Sequence, residues 1–412
     1  MTKPLSSQWR AAWEKTFRYA AKHSPYYRDL FGRTKKIPSW QEIPTVDKTI
    51  LSRRNLDFLC VPQERIVEVV TTSGTTGDPI AWMLTESDLQ RLAAGDRRAF
   101  ANAGLTRRDT VLLAVTLDRC FIAGMAYALG LRALGCATIR AGPSSPLLVL
   151  NCLKRFRPTA IVAVPSFLRI VADKARETKF DLKNCSIRKA ICIGEPIRDS
   201  DFQLNSSGQF IESTWGAKVF STYGVTELSQ ACCECAAGKG AHIPQETLHL
   251  EILDEAGRSL PDGEIGEVVA TTFGVEAMPL IRYRTGDCAA IFSKRCICGM
   301  TSPRLGPIVG RKQHKLKIKG ASVFPSALQS ILENARGVKH FTVIATAENE
   351  LSDAVEIIYD GTARAETLRD LIQAGVKISP RVRRVAAAKM AALQLPPDAR
   401  KRQWFIDRRN RL

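Results

Sequence analysis

Four short apolar runs, VLLAV at 111–115, ATIRAG at 137–142, AIVAVP at 160–165 and KAICIG at 189–194, are separated by segments with helical periodicity. Strand, helix, strand, helix at this spacing predicts an α/β sheet with parallel strands. In such sheets ligands sit in the loops that follow the strands. From Leu248 the texture changes to LHLEILDEAGRSLPDGEIGEVVATT, two alternating strands around a turn rich in Gly, Pro and Asp, which reads as antiparallel β. After Gly310 it changes again. A basic stretch, RKQHKLKIKG, leads into a helix from Pro325 to Asn334, strands at HFTVIAT and AVEIIYD, a helix to Ala374 and a basic tail.

The expected fold is therefore α/β: a large N-terminal domain over residues 1–310, with mixed and parallel sheets and a β subdomain, followed by a small α+β domain over residues 311–412. At 412 residues the chain is too long for one core to keep growing, which agrees with two domains. No internal repeat or low-complexity tract interrupts it.

The remaining composition narrows the classes. A chain that is 45% hydrophobic and 25% charged is an ordinary globular protein, so disorder and collagen are excluded. The N-terminus, MTKPLSSQWRAAWEKTF, has no apolar core ahead of a small-residue cleavage site, so no signal peptide is read. The longest apolar stretch, 120–139, is broken by Arg132 and by glycines, which favours a buried helix over a membrane span. The expected location is cytoplasmic. Twelve cysteines scattered through such a chain are not a disulfide framework, and Cys60, Cys136, Cys152, Cys185 and Cys192 read as small buried hydrophobes. A net charge of +19 points to a negative ligand or partner: nucleic acid, a polyphosphate or an acidic protein.

Four stretches share one chemistry. TTSGTTGDPI, at 71–80, places five hydroxyl residues and two glycines in seven positions after the apolar IVEVV. Glycines turn backbone amides toward a ligand and hydroxyls add donors, which suits phosphate oxygens, although the Walker ending is missing and a polar surface turn fits equally. STYGVTELS, at 221–229, sets Tyr223 beside Gly224 and follows with Thr226 and Glu227, a set for stacking a base and holding a hard cation. YRTGD, at 283–287, ends in a carboxylate suited to ribose hydroxyls. GRKQHKLKIKG, at 310–320, opens with Arg311 at the expected domain boundary.

In this order and spacing the four stretches resemble the superfamily of acyl- and aryl-CoA ligases, adenylation domains and luciferases, and within it the phenylacetate-CoA ligase-like branch. HSPYYRDLFG followed by IPTVDK, CIGEPI at 192–197 and KRQWFIDRR at 401–409 are similar to the same branch, so the resemblance spans essentially the whole chain. It implies an ATP-dependent, AMP-forming ligase whose small C-terminal domain is mobile and rotates between two half-reactions. A carboxylate attacks the α-phosphorus of ATP to give an acyl-adenylate and pyrophosphate; a nucleophile then displaces AMP.

Carried over residue by residue, the resemblance implies that Ser73, Gly74, Thr75, Thr76 and Gly77 wrap the β and γ phosphates. Glu195 with its neighbouring glycine and proline lines the adenine site, and Tyr223, beside Gly224, stacks on the base. Asp287 binds the ribose hydroxyls with Arg311 close by, and Thr226 and Glu227 hold Mg²⁺. Lys401 matches the lysine that reaches the substrate carboxylate and the α-phosphate, a cation of the kind that stabilises developing charge. Its neighbours Arg400 and Arg402 make a merely basic tail the alternative. Two positions depart from the family: His314 stands where the hinge often carries Asp, and Arg400 where glycine often precedes the lysine.

Cys235, His242, Cys296 and Cys298 make a three-thiol, one-imidazole set suited to structural zinc, which some members of the branch hold in the corresponding place. The alternative is four unliganded side chains on a surface loop, with Cys232 and Cys233 as neighbours or substitutes. His23, His249 and His340 read as ordinary polar residues. For the acid, Phe121, Gly124, Met125, Ala163, Val164 and Phe220 are candidates for a small apolar pocket, each of which could equally be plain core.

The acceptor implied first is CoA, with an acyl carrier protein or an amine as alternatives, since a basic small domain suits either phosphates or an acidic carrier. A homodimer is compatible with the resemblance, although no stretch marks an interface. Two readings of other classes stand beside these. One is a nucleotide-binding protein that has lost catalysis, hinted at by His314 and Arg400. The other is a nucleic-acid binder, disfavoured because only 7% of residues are aromatic and the basic ones are spread along the chain.

Overall fold

The structure is a computed structural model that describes residues 7–32, 37–72, 80–318, 321–347, 352–394 and 403–409. The chain divides into two compact units, one of Met1–Thr285 with Ala289–Pro307 and the other of Gly286–Cys288 with Ile308–Leu412.

In the first unit, strands β1 (Glu68–Thr71) and β2 (Ala81–Leu84) pair as an antiparallel hairpin. The central sheet follows: β3 (Thr110–Ala114), β4 (Ala137–Arg140), β5 (Ala160–Ala163), β6 (Lys189–Ile193), β7 (Lys218–Val225) and β8 (Gln230–Cys233), in the order β4-β3-β5-β6-β7-β8. The first five are parallel and β8 returns antiparallel to β7. This is the α/β architecture expected from the spacing of the apolar runs.

Both faces are buried at β3, β5 and β6, which is why these strands read as continuous apolar runs. Helices α1 (Ser7–His23), α2 (Pro25–Phe31) and α3 (Lys48–Arg53) precede the sheet in the chain; Val111, Leu113, Val162, Ile191 and Ile193 pack on one face, against helices α4 (Glu86–Asn102) and α5 (Ile122–Leu134). The alternate residues Leu112, Ala114, Ile161, Ala190 and Cys192 pack on the other, against α6 (Pro146–Phe156), α7 (Pro165–Glu177) and α8 (Ser206–Trp215). The helices start where the sequence supplies caps. Thr85 and Asp88 form a capping box at α4, and the Ser145 and Asn205 side chains accept from backbone N–H groups at α6 and α8. Gly135 ends α5 in the left-handed conformation, where a side chain would be strained.

The antiparallel pair read from LHLEILDEAGRSLPDGEIGEVVATT is present as strands Leu248–Leu253 and Gly266–Thr272. Cys60, Cys136, Cys152, Cys185 and Cys192 are buried as expected, and none of the twelve cysteines forms a disulfide. Among the described residues no helix is long and apolar enough to cross a membrane.

The second unit is built on a four-stranded sheet in which strand Val338–Ala347 lies between the antiparallel Asp353–Gly361 and the parallel Phe405–Asp407, with Arg381–Arg384 on the far edge. Helices Pro325–Asn334 and Ala365–Val376 supply Leu328, Leu332, Leu368 and Ile372 to one face. Met390 of helix Ala387–Gln394 packs on Ile344 and Ile358. Arg409 is buried, paired with Asp353 at 2.9 Å and with Asp407, and donates to the carbonyls of Gln313 and Lys315. Arg409 thus locks the segment around His314 to the sheet.

One buried acid ties α4 to the sheet. Asp96 accepts from the Ala231 N–H at 3.3 Å. It lies so close to Gly130 of α5 that a Cβ at Gly130 would meet the Asp96 Cβ at 2.5 Å. Burial pushes its carboxyl up to about 7. The folded state therefore holds a proton that the unfolded chain releases above its ordinary carboxylate value, so stability falls as pH rises toward 7 and then levels off. Urea titrations of Asp96→Asn, which keeps the acceptor oxygen, should lack this loss, which is at most about 1.4 kcal/mol per pH unit. Parallel pH profiles for the variant and the wild type would assign the slope elsewhere.

Candidate functional site

Strands β5, β6 and β7 are neighbours, and their carboxyl ends lie on one edge of the sheet, the edge at which ligands bind in sheets of this kind. After β5, Val164 precedes the N-terminus of α7. After β6 comes the turn 194–197, in which Gly194 is exposed at φ +71 with nothing within 4 Å of a Cβ built on it. A side chain there would be strained although space exists, so it is the backbone conformation that requires glycine. Strand β7 carries Tyr223 and Gly224 and runs into a single 3₁₀ turn, Thr226–Leu228.

That turn is held firmly. Ser229, which ends it, is buried in the left-handed conformation at φ +46. Its hydroxyl accepts from Trp82 Nε1 at 2.8 Å and its carbonyl from Arg91 at 3.1 Å. Arg91 also donates to the carbonyls of Thr247 and Phe273, which fixes helix α4 to this corner. The consequence is a fixed place for Glu227, which is only 7% exposed. Its carboxylate accepts the hydroxyl of Tyr283 at 2.9 Å.

Tyr283 opens the YRTGD stretch and is positioned by the N-terminal stretches singled out in the sequence. The Ile281 N–H donates to the Tyr27 hydroxyl at 2.8 Å, and Val46 bridges Tyr283, its N–H donating to Arg282 O and its carbonyl accepting from Arg284 N. Arg282 pairs with buried Glu251 at 2.8 Å and donates to Ile43 O. HSPYYRDLFG and IPTVDK therefore hold the strand from which Tyr283 reaches Glu227.

The other expected residues fall as follows. The Glu195 carboxylate is taken up by Ser166, accepting from its N–H at 2.9 Å and its hydroxyl at 2.7 Å, where it caps the start of α7. Phe121 is exposed, Met125 and Val164 are half-buried, and Ala163 and Phe220 are core residues. Gly124 serves close packing, since a Cβ there would meet Thr116 O at 2.0 Å. Asp287 and Arg311 belong to the second unit, where they are register partners and their side chains approach to 3.5 Å. His314, in the same unit, stacks obliquely on Phe405 with centroids 5.2 Å apart. Burial and the nearby Arg311 hold its imidazole below the ordinary range. Ser73, Gly74, Thr75, Thr76, Gly77 and Lys401 lie outside the described residues.

The cysteine and histidine set does converge. The ligand atoms of Cys235, His242, Cys296 and Cys298 all lie within 4.8 Å of one another. Four ligands around a tetrahedral zinc with Zn–S near 2.3 Å are about 3.8 Å apart for two thiolates, and slightly less for thiolate and imidazole. The Cys235–Cys296 separation is 3.8 Å and the Cys298 Sγ to His242 Nε2 separation is 3.5 Å. His242 Nδ1 meets Ser302 Oγ at 2.9 Å, which orients the ring and presents Nε2 to the cluster. Burial, aided by Arg304, holds the imidazole below its ordinary range and so in the neutral form that ligates. The donor set fits a closed, four-coordinate metal.

Sequence reading missed Ser166 as the partner of Glu195 and Arg91 as the anchor of Ser229, because both are long-range contacts with no spacing signal. Tyr283 was in view as the first residue of YRTGD, but not its bond to Glu227.

Comparison with known proteins gives a consistent picture. The sequence profile of the AMP-binding enzyme family matches residues 28–276. The chain is 29% identical over 352 residues to the phenylacetate-coenzyme A ligase of Thermus thermophilus, covering 82% of this chain and 77% of that protein. It is 29% identical over 370 residues to the phenylacetate-coenzyme A ligase of Pseudomonas putida, covering 85% and 81%. Among solved structures, 2-hydroxyisobutyryl-CoA ligase in the postadenylation state, in complex with R3-HIB-AMP, matches with a TM-score of 0.83 at 23% identity over 98% of this chain and 90% of that one. This likeness shows the fold.

Proposed function

The chain belongs to the AMP-binding enzyme family, and on that footing we propose that it activates an aromatic carboxylic acid with ATP and passes the acyl group to the thiol of CoA. It is thus an AMP-forming acid–CoA ligase, in keeping with the named activity of its relatives. The observation that carries the reading is the Tyr283–Glu227 hydrogen bond, which joins two of the four stretches across 56 residues of sequence at the ligand-binding edge of the sheet.

In the first half-reaction an oxygen of the acid attacks the α-phosphorus, a new P–O bond forms, and the bond to the β-phosphate oxygen breaks to release pyrophosphate. In the second, the CoA sulfur attacks the acyl carbon, its proton is lost to solvent, and AMP departs. Residues 73–77 cradle the phosphates with backbone and hydroxyl donors, and Tyr223 stacks on the base. Asp287 accepts the ribose hydroxyls, and Lys401 supplies the cation at the α-phosphate. Thr226 and Glu227 present a hydroxyl and a carboxylate, the hard oxygen donors that suit Mg²⁺, which when bound neutralises phosphate charge. Cys235, His242, Cys296 and Cys298 hold a structural zinc.

Tyr283→Phe tests the central contact. It keeps the ring and removes only the donor, so Glu227 keeps its place but loses the bond that orients it. Loss of a partner behind a metal ligand typically costs about 10–100-fold in affinity or activity. The half-saturating Mg²⁺ concentration for acid-dependent pyrophosphate release should rise accordingly. An unchanged Mg²⁺ dependence would remove Tyr283 from the site.

A further inference from the structure

The turn at 194–197 is gripped from two sides by side chains outside the four family-like stretches. On one side, Glu195 is bound by Ser166. On the other, Arg198 makes a two-pronged pair with Glu234, Nε to Oε2 at 2.8 Å and Nη2 to Oε1 at 2.9 Å, while its Nη1 donates to Phe202 O at 3.1 Å. Glu234 is 1% exposed and Arg198 12%, so the pair is withdrawn from water. The same Glu234 oxygen that meets Arg198 also accepts the backbone N–H of Ser221 at 2.8 Å, and the Glu234 N–H donates to Ser221 O.

One carboxylate therefore ties the turn after β6 to the strand that carries Tyr223 two residues beyond Ser221. Space around it is fully used: Gly238 sits at φ +61, and a Cβ there would come within 2.6 Å of Arg198 Nη2. A buried ion pair is weak evidence for stability, since apolar residues of similar size often do as well. Its geometry is what distinguishes this one, because an apolar pair could not accept from Ser221 or fix the distance between turn and strand.

We propose that Arg198 and Glu234, with Ser166 on the far side, are positioning residues that set the spacing of the walls around the nucleotide base and so its discrimination for adenine. The proposal rests on the reading that this edge of the sheet binds ATP. None of the three need touch the nucleotide. They act through the turn 194–197 and through Tyr223, which close on the base from neighbouring strands.

The test is calorimetric titration of the full chain with AMP and with GMP. Glu234→Gln keeps the shape and an acceptor for Ser221 but weakens the hold on Arg198. Ser166→Ala loosens the other side of the same turn at an exposed position where folding is not at stake. Both variants are expected to lose about tenfold in AMP affinity, the scale of one charge-assisted hydrogen bond, with a smaller loss for GMP, so the AMP/GMP ratio falls. Unchanged AMP binding, or an equal loss for both nucleotides, would overturn the positioning role. If the wild-type chain bound no AMP, the nucleotide reading itself would fail, an outcome separable from the others because it precedes any substitution.

Discussion

Substitution of Lys401 by alanine is expected to slow acyl-adenylate formation by about 10²–10³, the usual worth of one preorganised electrostatic group at a transition state. During in-line attack, negative charge gathers on the α-phosphate oxygens and the departing pyrophosphate, and a cation held there lowers the barrier most when water is excluded. The second half-reaction takes place at the acyl carbon. Supplied with preformed acyl-adenylate and CoA, the variant should therefore retain far more of its rate than in the first half. Arg400 and Arg402 flank the lysine, and Arg402→Ala serves as the control for a general effect of basic charge. Equal losses for Lys401→Ala and Arg402→Ala would reduce Lys401 to a member of a basic tail.

Stripping of zinc is expected to have the largest effect on stability. Four ligand atoms within 4.8 Å of one another suit a closed four-coordinate site, so a metal held there would cross-link residues 235–242 and 296–298. In small domains such sites contribute about 10–16 kcal/mol of apparent binding energy at neutral pH. Here a formed sheet surrounds the loops, and the loss should be confined to them. Without metal, burial pushes the Cys235 thiol up to about 12, so that thiol would take up a proton. Elemental analysis of the purified chain should find one zinc per molecule. Chelation should lower the Tm and raise hydrogen exchange at 234–242, and Cys298→Ser should lower the zinc content. A metal-free chain whose Tm ignores chelator would contradict the assignment.

The α/β class was legible because burial on both faces leaves an unmistakable trace, as in AIVAVP, where Ile161 and Val162 face opposite cores. The helix expected over Pro325–Asn334 and the pairing of 248–253 with 266–272 were equally visible, since Pro325 marks the helix start and a turn rich in Gly, Pro and Asp lies between the strands. Cys235, His242, Cys296 and Cys298 lie together in space, although the C-x-C spacing alone would not have pointed to them.

What stayed hidden is contact across the fold. The Glu195 side chain caps α7 through Ser166, and a carboxylate facing a helix N-terminus has no local signature. At Gly124 the chain at Thr116 passes too close for a Cβ, a close approach that leaves no mark in the sequence. Asp96 and Arg91 carry no spacing signal in the sequence; Asp96 is buried and Arg91 half-buried at the seam between α4 and the sheet. The final strand Phe405–Asp407 and its Arg409 lock were invisible inside a basic tail, because three residues are too few to show a period.

The most direct measurement is ATP consumption, with products identified by mass spectrometry, across aryl, arylacetic and short acyl acids, each with and without CoA. The expected result is AMP release that requires the acid, together with an acyl-CoA mass that is greatest for an aromatic acid. Acyl-adenylate or pyrophosphate that CoA fails to carry forward would contradict transfer to CoA and move the acceptor to a carrier protein or an amine. Absence of acid-dependent pyrophosphate release altogether would contradict the ligase itself.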